Sequence, residues 1–400
     1  MKDLVFGVLT FASILWLLRS TIILLFAFKQ KQRSAGNLDN TKQDQSDFND
    51  PSVSILIPAF NEARTIARCM QSCIACNYRN KDIIVIDDGS DDETSREAEN
   101  IQDCHPKHSI KVFKLRQNKG KTAALNYALK RIKSELIVTL DADTVFASKH
   151  SLDTLLAPLI HQKRCSGTTA NLHVRHPNEP LGMIQSIEYT KVLNSSKRAQ
   201  SLLQSILILP GAMSAFRQEA LAAIGGFSAS TMAEDADATM QLLQDGHLLT
   251  FQANCIGVTE GPHTLVDLLR QRLRWRVGQL QCLIKHSTLL VKSPAKAFFF
   301  IDMAVMNTIS AITPVITILA LSQDMSDTFV PLTALMAGCI AADLAGTAMT
   351  FHLDEQAMPG LWAYVLYVSF FTLFSPLITW VAMIQVLFNR TTGWHTSARY

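Results

Sequence analysis

The sequence predicts an α/β domain with a doubly wound, mostly parallel sheet, joined to apolar helices long enough to cross a bilayer. Three observations lead there. First, Ile83-Ile84-Val85-Ile86 runs straight into Asp87-Asp88-Gly89-Ser90-Asp91-Asp92. An uninterrupted apolar run closed by turn residues reads as a buried parallel strand. Second, the same junction recurs at Leu136-Ile137-Val138-Thr139-Leu140-Asp141-Ala142-Asp143. In an open α/β sheet, ligands sit at the carboxyl ends of the strands, so both junctions present acids at one mouth. Third, the apolar excess is uneven. Hydrophobic residues make up 48% and charged residues 18% of the chain, yet 4–28, 297–321, 329–351 and 361–388 are almost wholly apolar. Each matches or exceeds the roughly 20 residues that span a bilayer as a helix.

The first apolar segment is too long for a cleaved signal peptide, carries Arg19 and lacks a small-residue cleavage site. Arg19 is expected to snorkel toward the cytoplasmic end of its helix, with a position facing a channel as the alternative. Lys29, Lys31 and Arg33 follow this segment, which predicts that the domain after it lies in the cytoplasm of a multi-pass cell-membrane protein. The loop 322–328 has two Asp and no Lys or Arg, which suits the outer side, whereas Arg390 and Arg399 draw the tail inward. The parity of the C-terminal spans therefore stays open, with a hairpin bent at Pro376 as one solution. The net charge of +3 gives no sign of nucleic-acid binding. Eight cysteines show no disulfide framework, as suits a cytoplasmic domain. Cys69, Cys73 and Cys76 share a helical face with Ile66 and are read as core, since no nearby fourth ligand completes a zinc site.

Taken in order, residues 1–30 form the first membrane helix and 31–50 a polar linker. Residues 53–57 form a strand closed by Pro58, and Asn61-Glu62 opens a helix with Ile66, Cys69, Cys73 and Cys76 inward. After the 83–86 strand comes a polar helix from about Asp92, with Asp91, Asp92 and Glu93 as its solvated start. A strand at 110–115, a helix at 123–132 and the strand 136–140 complete the alternation of a doubly wound sheet. Further on, 168–174 and 249–258 read as strands, 181–204 as helix, and Pro210-Gly211 as a break. His173 and His176 are read as surface or packing residues. Glu234-Asp235 precedes a helix over 238–243. Thr264 is a plausible N-cap with Asp267 at the third helical position. Leu265, Leu269, Leu273, Val277, Leu280 and Ile284 form a stripe suited to a membrane interface.

The residue types then suggest a chemistry. Asp141 and Asp143 put carboxylates on alternate residues, suited to Mg²⁺ or Mn²⁺ bridging a diphosphate. Such a metal neutralises charge on a departing nucleoside diphosphate. Gln271, Arg274 and Trp275 can share one helical face, where a guanidinium meets phosphate oxygens and an indole stacks on a sugar ring. Asp235 is available as a general base for an acceptor hydroxyl, with Glu234 beside it.

Six motifs carry a resemblance: Pro58-Ala59-Phe60-Asn61-Glu62, Asp87-Asp88-Gly89-Ser90-Asp91-Asp92, Asn118-Lys119-Gly120-Lys121 with Asn126, Asp141-Ala142-Asp143, Glu234-Asp235, and Gln271-x-x-Arg274-Trp275. Together and in this order, they make the chain resemble the membrane-bound, processive members of glycosyltransferase family 2. These include hyaluronan, chitin and cellulose synthases and bacterial poly-β-1,6-N-acetylglucosamine synthases. The resemblance implies a GT-A fold over 51–262, an interfacial region over 263–292, a membrane region over 293–390 and a tail over 391–400. It implies inverting transfer from a UDP-sugar, most simply UDP-N-acetylglucosamine, onto a growing glycan at the bilayer. Pro58, Asn61, Glu62, Asp87, Asp88, Lys121 and Asp141 would then bind the donor, with Asp87 and Asp88 at the uridine. Asp143, with Asp141, would hold the metal and Asp235 would be the base. Gln271, Arg274 and Trp275 would bind the diphosphate and the acceptor end. Ala233 stands where many relatives carry Thr, a departure on the acceptor side. The tail residues 393–399 also resemble a short motif of some relatives. Transfer of one sugar to a lipid and an inactive assembly or export subunit are the alternatives, and a small membrane partner subunit is left open.

Overall fold

The strands form where the apolar runs lie. The computed structural model describes residues 2–41, 50–321 and 329–388. After helix α1 (Lys2–Thr41), the chain alternates β1 (Val53–Ala59), α2 (Ile66–Ala75), β2 (Lys81–Asp87), α3 (Thr94–Cys104), β3 (Ser109–Lys114), α4 (Lys121–Leu129) and β4 (Leu136–Leu140). These four strands are parallel, in the order β3-β2-β1-β4. Ile83 to Ile86 are exposed by 1% at most. Ile83 and Val85 enter the core on one face of the sheet, Ile84 and Ile86 the core on the other. Burying each such side chain stabilises the fold by about 1.5–3 kcal/mol. Both faces are covered, which explains why the run is continuous instead of alternating.

The second half extends the sheet through β5 (Thr144–Phe146), α5 (Ser151–His161), β6 (Cys165–Val174), α6 (Pro180–Ile187), a π-helix (Glu188–Asn194) and α7 (Ser195–Leu202). Then come β7 (Met213–Arg217), α8 (Gln218–Ala223), α9 (Glu234–Gln244), β8 (Leu248–Thr259) and α10 (Leu265–Lys285). The full order is β3-β2-β1-β4-β7-β6-β8-β5. Only β7 and β5 oppose the other strands, so the sheet is mostly parallel, as expected. Those two are the strands that sequence reading did not find. At five and three residues they are too short to show a period.

Among the described residues, four helices are long and apolar enough to cross a membrane: residues 6–33 of α1, and the bulk of α11 (Pro294–Leu321), α12 (Phe329–Leu353) and α13 (Leu361–Leu387). Several expectations change. The first helix continues to Thr41, so the start of the 31–50 linker is helical. Gln, Lys and Arg are good helix formers and no proline interrupts them. Pro58 lies inside β1, where pairing with β4 has already ended at Leu56 and a missing N–H is tolerated. The 181–204 helix is real but widens into a π-helix. Pro376 sits within the single helix α13, so no hairpin forms there.

Arg19 does not snorkel. Its guanidinium grips both carboxylate oxygens of Asp302 on α11, with Nη2 to Oδ2 at 3.0 Å. An ion pair between two apolar helices satisfies both charges without reaching water. The stripe on α10 is likewise divided: Leu265 and Ile284 are exposed, whereas Val277 is packed inside. Loop 322–328, Arg390 and the tail motif 393–399 lie outside the described residues.

Candidate active site

The acids meet at the carboxyl ends of β1, β2 and β4. Asp87 ends β2 and is fully buried. Its Oδ1 accepts from the Ser90 amide at 2.9 Å and from the Ser90 hydroxyl, and its Oδ2 accepts from Ser95. Asp87 thus shapes its own turn, and that internal work is what the sequence could not reveal. Asp88 instead reaches across to the next loop, accepting from the Lys119 amide at 3.1 Å and the Gly120 amide at 2.6 Å. Burial pushes the Asp88 carboxyl above its ordinary value, and those two N–H groups oppose the rise. Gly89, at φ +75°, permits this close approach, since a Cβ there would stand 2.9 Å from the Asn118 nitrogen.

The β1 loop is held by the same region. Asn61, in the left-handed region at φ 56°, donates its amide to Ser90 Oγ at 3.0 Å and accepts from the Asp91 amide at 3.0 Å. The Glu62 amide donates to Thr94 Oγ1 at 2.7 Å, and Glu62 Oε2 accepts from the Thr65 hydroxyl at 2.6 Å. Asp92 bridges the Ala63 amide and the start of α3. Asn61 and Glu62 are thus tied to the loop after β2, with Pro58 just before them at the end of β1.

Lys121 lies between acids from two segments. The loop anchored by Asp88 delivers it at the first position of α4. Its Nζ contacts Asp141 Oδ1 directly and lies 3.7 Å from Glu234 Oε1. Burial disfavours the Lys121 charge, but Asp141, Glu234 and Asp235 together outweigh it and hold the ammonium well above its ordinary value. Glu234 moves up in turn: its burial and the nearby Asp235 outweigh the pull of Lys121 and Arg274. Glu234 and Asp235 do not precede α9, as expected from sequence, but form its first turn, where the helix dipole favours acids. Asp235 is aimed by two backbone donors, Gly211 N to Oδ2 at 2.8 Å and Ala236 N to Oδ1 at 2.8 Å.

The Pro210-Gly211 break is therefore part of the site. A Cβ on Gly211 would stand 2.8 Å from Lys121 Nζ and 3.7 Å from Asp235 Cβ. Asn126 clamps the chain just before α9, exchanging bonds with Phe227 N at 3.0 Å and Phe227 O at 2.7 Å. Asp143, largely buried, accepts from Thr144 Oγ1 at 3.1 Å and Thr259 Oγ1 at 3.5 Å. Lys197 on α7 is a further buried charge that sequence reading missed. Burial lowers its ammonium to about 8, against the pull of Asp235 and Asp354.

The Gln271-to-Trp275 turn lies on α10, whose N-cap Thr264 accepts from the Asp267 amide as the sequence predicts. The start of α9 packs on it: a Cβ on Gly278 would stand 2.5 Å from the Ala233 Cβ. Ala233 is small because two helices touch there. Trp275 packs against the core with its ring 6.4 Å from that of Tyr189. Arg274 is near enough to influence Glu234. Cys69 and Cys73 are buried core side chains, and the Cys69 thiol faces the Asp141 carbonyl. His173 Nε2 accepts from the Gln356 side-chain amide at 3.0 Å, and His176 lies on the surface beside Glu260.

Among the described residues, no cluster of three or more His, Cys, Asp or Glu forms a metal cage. Two carboxylates suit a hard cation that takes its remaining ligands from phosphate oxygens and water, the usual manner of Mg²⁺.

Comparison with known proteins fits this geometry. Residues 54–225 match the family described as Glycosyl transferase family 2. The chain is 28% identical over 291 residues to the poly-beta-1,6-N-acetyl-D-glucosamine synthase of Staphylococcus epidermidis, covering 73% of this chain and 68% of that protein. It is 28% identical over 275 residues to the synthase of the same name from Staphylococcus aureus, covering 69% and 64%. Among solved structures, the mannosyltransferase PcManGT from Pyrobaculum calidifontis, in complex with GDP-Man and Mn²⁺, superposes with a TM-score of 0.56 at 18% identity, covering 93% of this chain and 99% of that one. The chain thus carries a glycosyl transferase family 2 domain of GT-A fold, and it is a glycosyltransferase.

Proposed function

We propose that the protein is an inverting, processive synthase that builds a β-linked polysaccharide from a UDP-sugar, UDP-N-acetylglucosamine, at the membrane. The observation that carries this reading is the convergence on Lys121 of Asp141 from one end of the cleft and Glu234 from the other. Donor chemistry and acceptor chemistry thereby share one small volume. The Staphylococcus synthases, by name, make a poly-N-acetylglucosamine, which supports the choice of sugar.

In this reading, Asp88 and the 118–120 loop receive the nucleoside, and Pro58, Asn61 and Glu62 shape the wall beside it. Asp141 and Asp143 would hold Mg²⁺ or Mn²⁺, and Lys121 adds positive charge near the diphosphate. The metal, when bound, lowers the charge on the leaving diphosphate. Asp235, aimed by the Gly211 and Ala236 amides, takes the proton from the acceptor hydroxyl. That proton leaves as the new glycosidic oxygen attacks from the face opposite the diphosphate, which inverts the sugar. Glu234 orients Asp235. Gln271, Arg274 and Trp275 hold the acceptor end and the diphosphate. In this reading the catalytic domain lies on the cytoplasmic side, which the Lys29, Lys31 and Arg33 cluster after the first apolar segment supports.

The test is incubation of purified membranes with labelled UDP-N-acetylglucosamine and other UDP-sugars, followed by sizing of the product. A polymer from UDP-N-acetylglucosamine supports the proposal. A polymer from another donor replaces the sugar, a single sugar on lipid replaces processive synthesis, and no turnover of any nucleotide sugar points to an inactive assembly or export subunit.

A further inference from the structure

Within Gln271-Arg272-Leu273-Arg274-Trp275, Arg272 and Trp275 are three apart and so are neighbours on the helix surface. The Arg272 guanidinium carbon lies 4.2 Å from the centre of the Trp275 ring. An arginine on an indole face is held electrostatically by the ring's quadrupole, more strongly once water is excluded. Arg272 itself is fixed from outside α10. Its Nε donates to both oxygens of Glu188 at 2.9 Å, and its Nη2 reaches Oε2 as well. Both side chains of this pair are buried, at 7% and 9% exposure. The remaining nitrogen, Nη1, donates to Gln271 Oε1. One guanidinium thus bonds Gln271, stacks on Trp275 and ends on Glu188.

Glu188 opens the π-helix. Turns of this kind are rare and concentrate at functional sites. Here the turn lets consecutive residues grip the same helix, Glu188 through Arg272 and Tyr189 by its ring against Trp275. On its other side, Lys191 pairs with Asp343 of α12, and Asp343 also accepts from the Tyr364 hydroxyl of α13 at 2.7 Å. Asn194 closes the segment on the Leu172 carbonyl at 3.2 Å. The turn that grips Trp275 is therefore itself pinned to two apolar helices and to the sheet.

We propose that Glu188 is a positioning residue for the acceptor platform: through the Arg272 guanidinium it fixes the orientation of the Trp275 ring. Glu188 touches no reacting atom. The inference rests on the reading of Trp275 as the acceptor surface, given under Proposed function. Without Glu188, Arg272 loses its carboxylate partner among the described residues, and the indole loses a fixed cation on its face.

The experiment compares Glu188→Gln, Glu188→Gln with Arg272→Met, and Trp275→Ala with the wild-type protein in detergent. UDP-N-acetylglucosamine is the donor and short N-acetylglucosamine oligomers are the acceptor probe. Glu188→Gln should raise the oligomer concentration for half-maximal extension by about ten-fold, while UDP affinity by calorimetry stays within about two-fold of wild-type. The double variant removes the uncompensated buried charge and should recover thermal stability, yet its acceptor defect should persist. A readout free of turnover accompanies these: the Trp275 emission, taken as the difference from a matched Trp275→Phe protein, should shift when Glu188 is replaced. Wild-type acceptor dependence in Glu188→Gln, loss of UDP affinity in parallel, recovery of extension together with stability in the double variant, or an unmoved Trp275 emission would each overturn the proposal. Normal acceptor dependence in Trp275→Ala would instead overturn the acceptor reading of Trp275 itself, which separates the two failures.

Discussion

Lys121 Nζ stands 3.7 Å from Glu234 Oε1 while touching Asp141 on its other side. A single ammonium therefore joins the Asp-x-Asp turn after β4 to the first turn of α9, two segments far apart in sequence. Removing the lysine would leave three acids crowded in a buried cleft, and breaking a buried pair from one side typically costs about 3–5 kcal/mol. A gentler perturbation is available at the glycine beneath it.

Gly211→Ala tests the cleft without removing any charge. The new Cβ would meet Lys121 Nζ at 2.8 Å, which is the far end of a flexible side chain. The lysine should yield and the fold should survive, with a stability cost of no more than about 1–3 kcal/mol. Transfer should fall by about ten-fold or more, because an ångström of displacement at a site can cost about 10²-fold. Thermal unfolding and turnover of labelled donor check the two halves, and unchanged turnover would refute the importance of the Lys121 position.

Asp235→Asn separates donor binding from proton transfer. The substitution keeps the shape but turns one acceptor oxygen into a donor, facing either the Gly211 or the Ala236 amide. The lost acceptor costs about 1–3 kcal/mol of stability. Turnover should fall by about 10² to 10⁴-fold, the usual contribution of a general base, while UDP affinity hardly changes. Polymer formation near the wild-type rate would remove Asp235 from the role of base, and loss of UDP binding would assign it to the donor side.

Metal removal addresses Asp141 and Asp143. Chelation with EDTA should abolish transfer, and Mg²⁺ or Mn²⁺ should restore it. Calorimetry should also show UDP binding weakened in the chelated protein, since a cation held by Asp141 and Asp143 would offset the charge of the diphosphate. Full activity after rigorous chelation would contradict the assignment.

Lys197 predicts a dependence of stability on pH. Its ammonium is lowered to about 8 from an ordinary 10.5. Between those values the unfolded chain binds a proton that the folded chain has shed, so stability contributed by this group rises with pH. Below about 8 the buried charge carries its full cost. Lys197→Met should therefore be more stable at pH 7, by about 1–3 kcal/mol, with the gain shrinking as pH rises toward 10.5. Denaturant titrations at several pH values check this, and a variant less stable than wild-type at pH 7 would show that Lys197 is held by a favourable interaction.

Orientation has a native probe. Cys104 is an exposed thiol at the end of α3, whereas Cys69, Cys73, Cys76, Cys165, Cys255 and Cys282 are buried. A membrane-impermeant maleimide should leave Cys104 unlabelled in intact cells and label it once the membrane is opened. Labelling in intact cells would place the catalytic domain outside.

By itself, the sequence determined the sheet's parallel half, the acid-bearing turns and the four apolar helices. Those features are local: a continuous apolar run such as Ile83 to Ile86 must be buried on both faces, and turn residues must end it. The Thr264 cap was legible for the same reason, since the hydroxyl and the amide it serves are three residues apart. Tertiary structure alone decided what each charged side chain does. Asp87 turned inward to Ser90 and Ser95, while Asp88, its neighbour, crossed to the Lys119 loop. Arg19 found Asp302 at a separation of 283 residues, and Arg272 found Glu188 at 84. A charge takes whichever partner the packed helices bring within reach, because burial makes an unpaired charge costly. Sequence spacing carries the period of a helix or a strand but not the identity of a partner delivered by the fold.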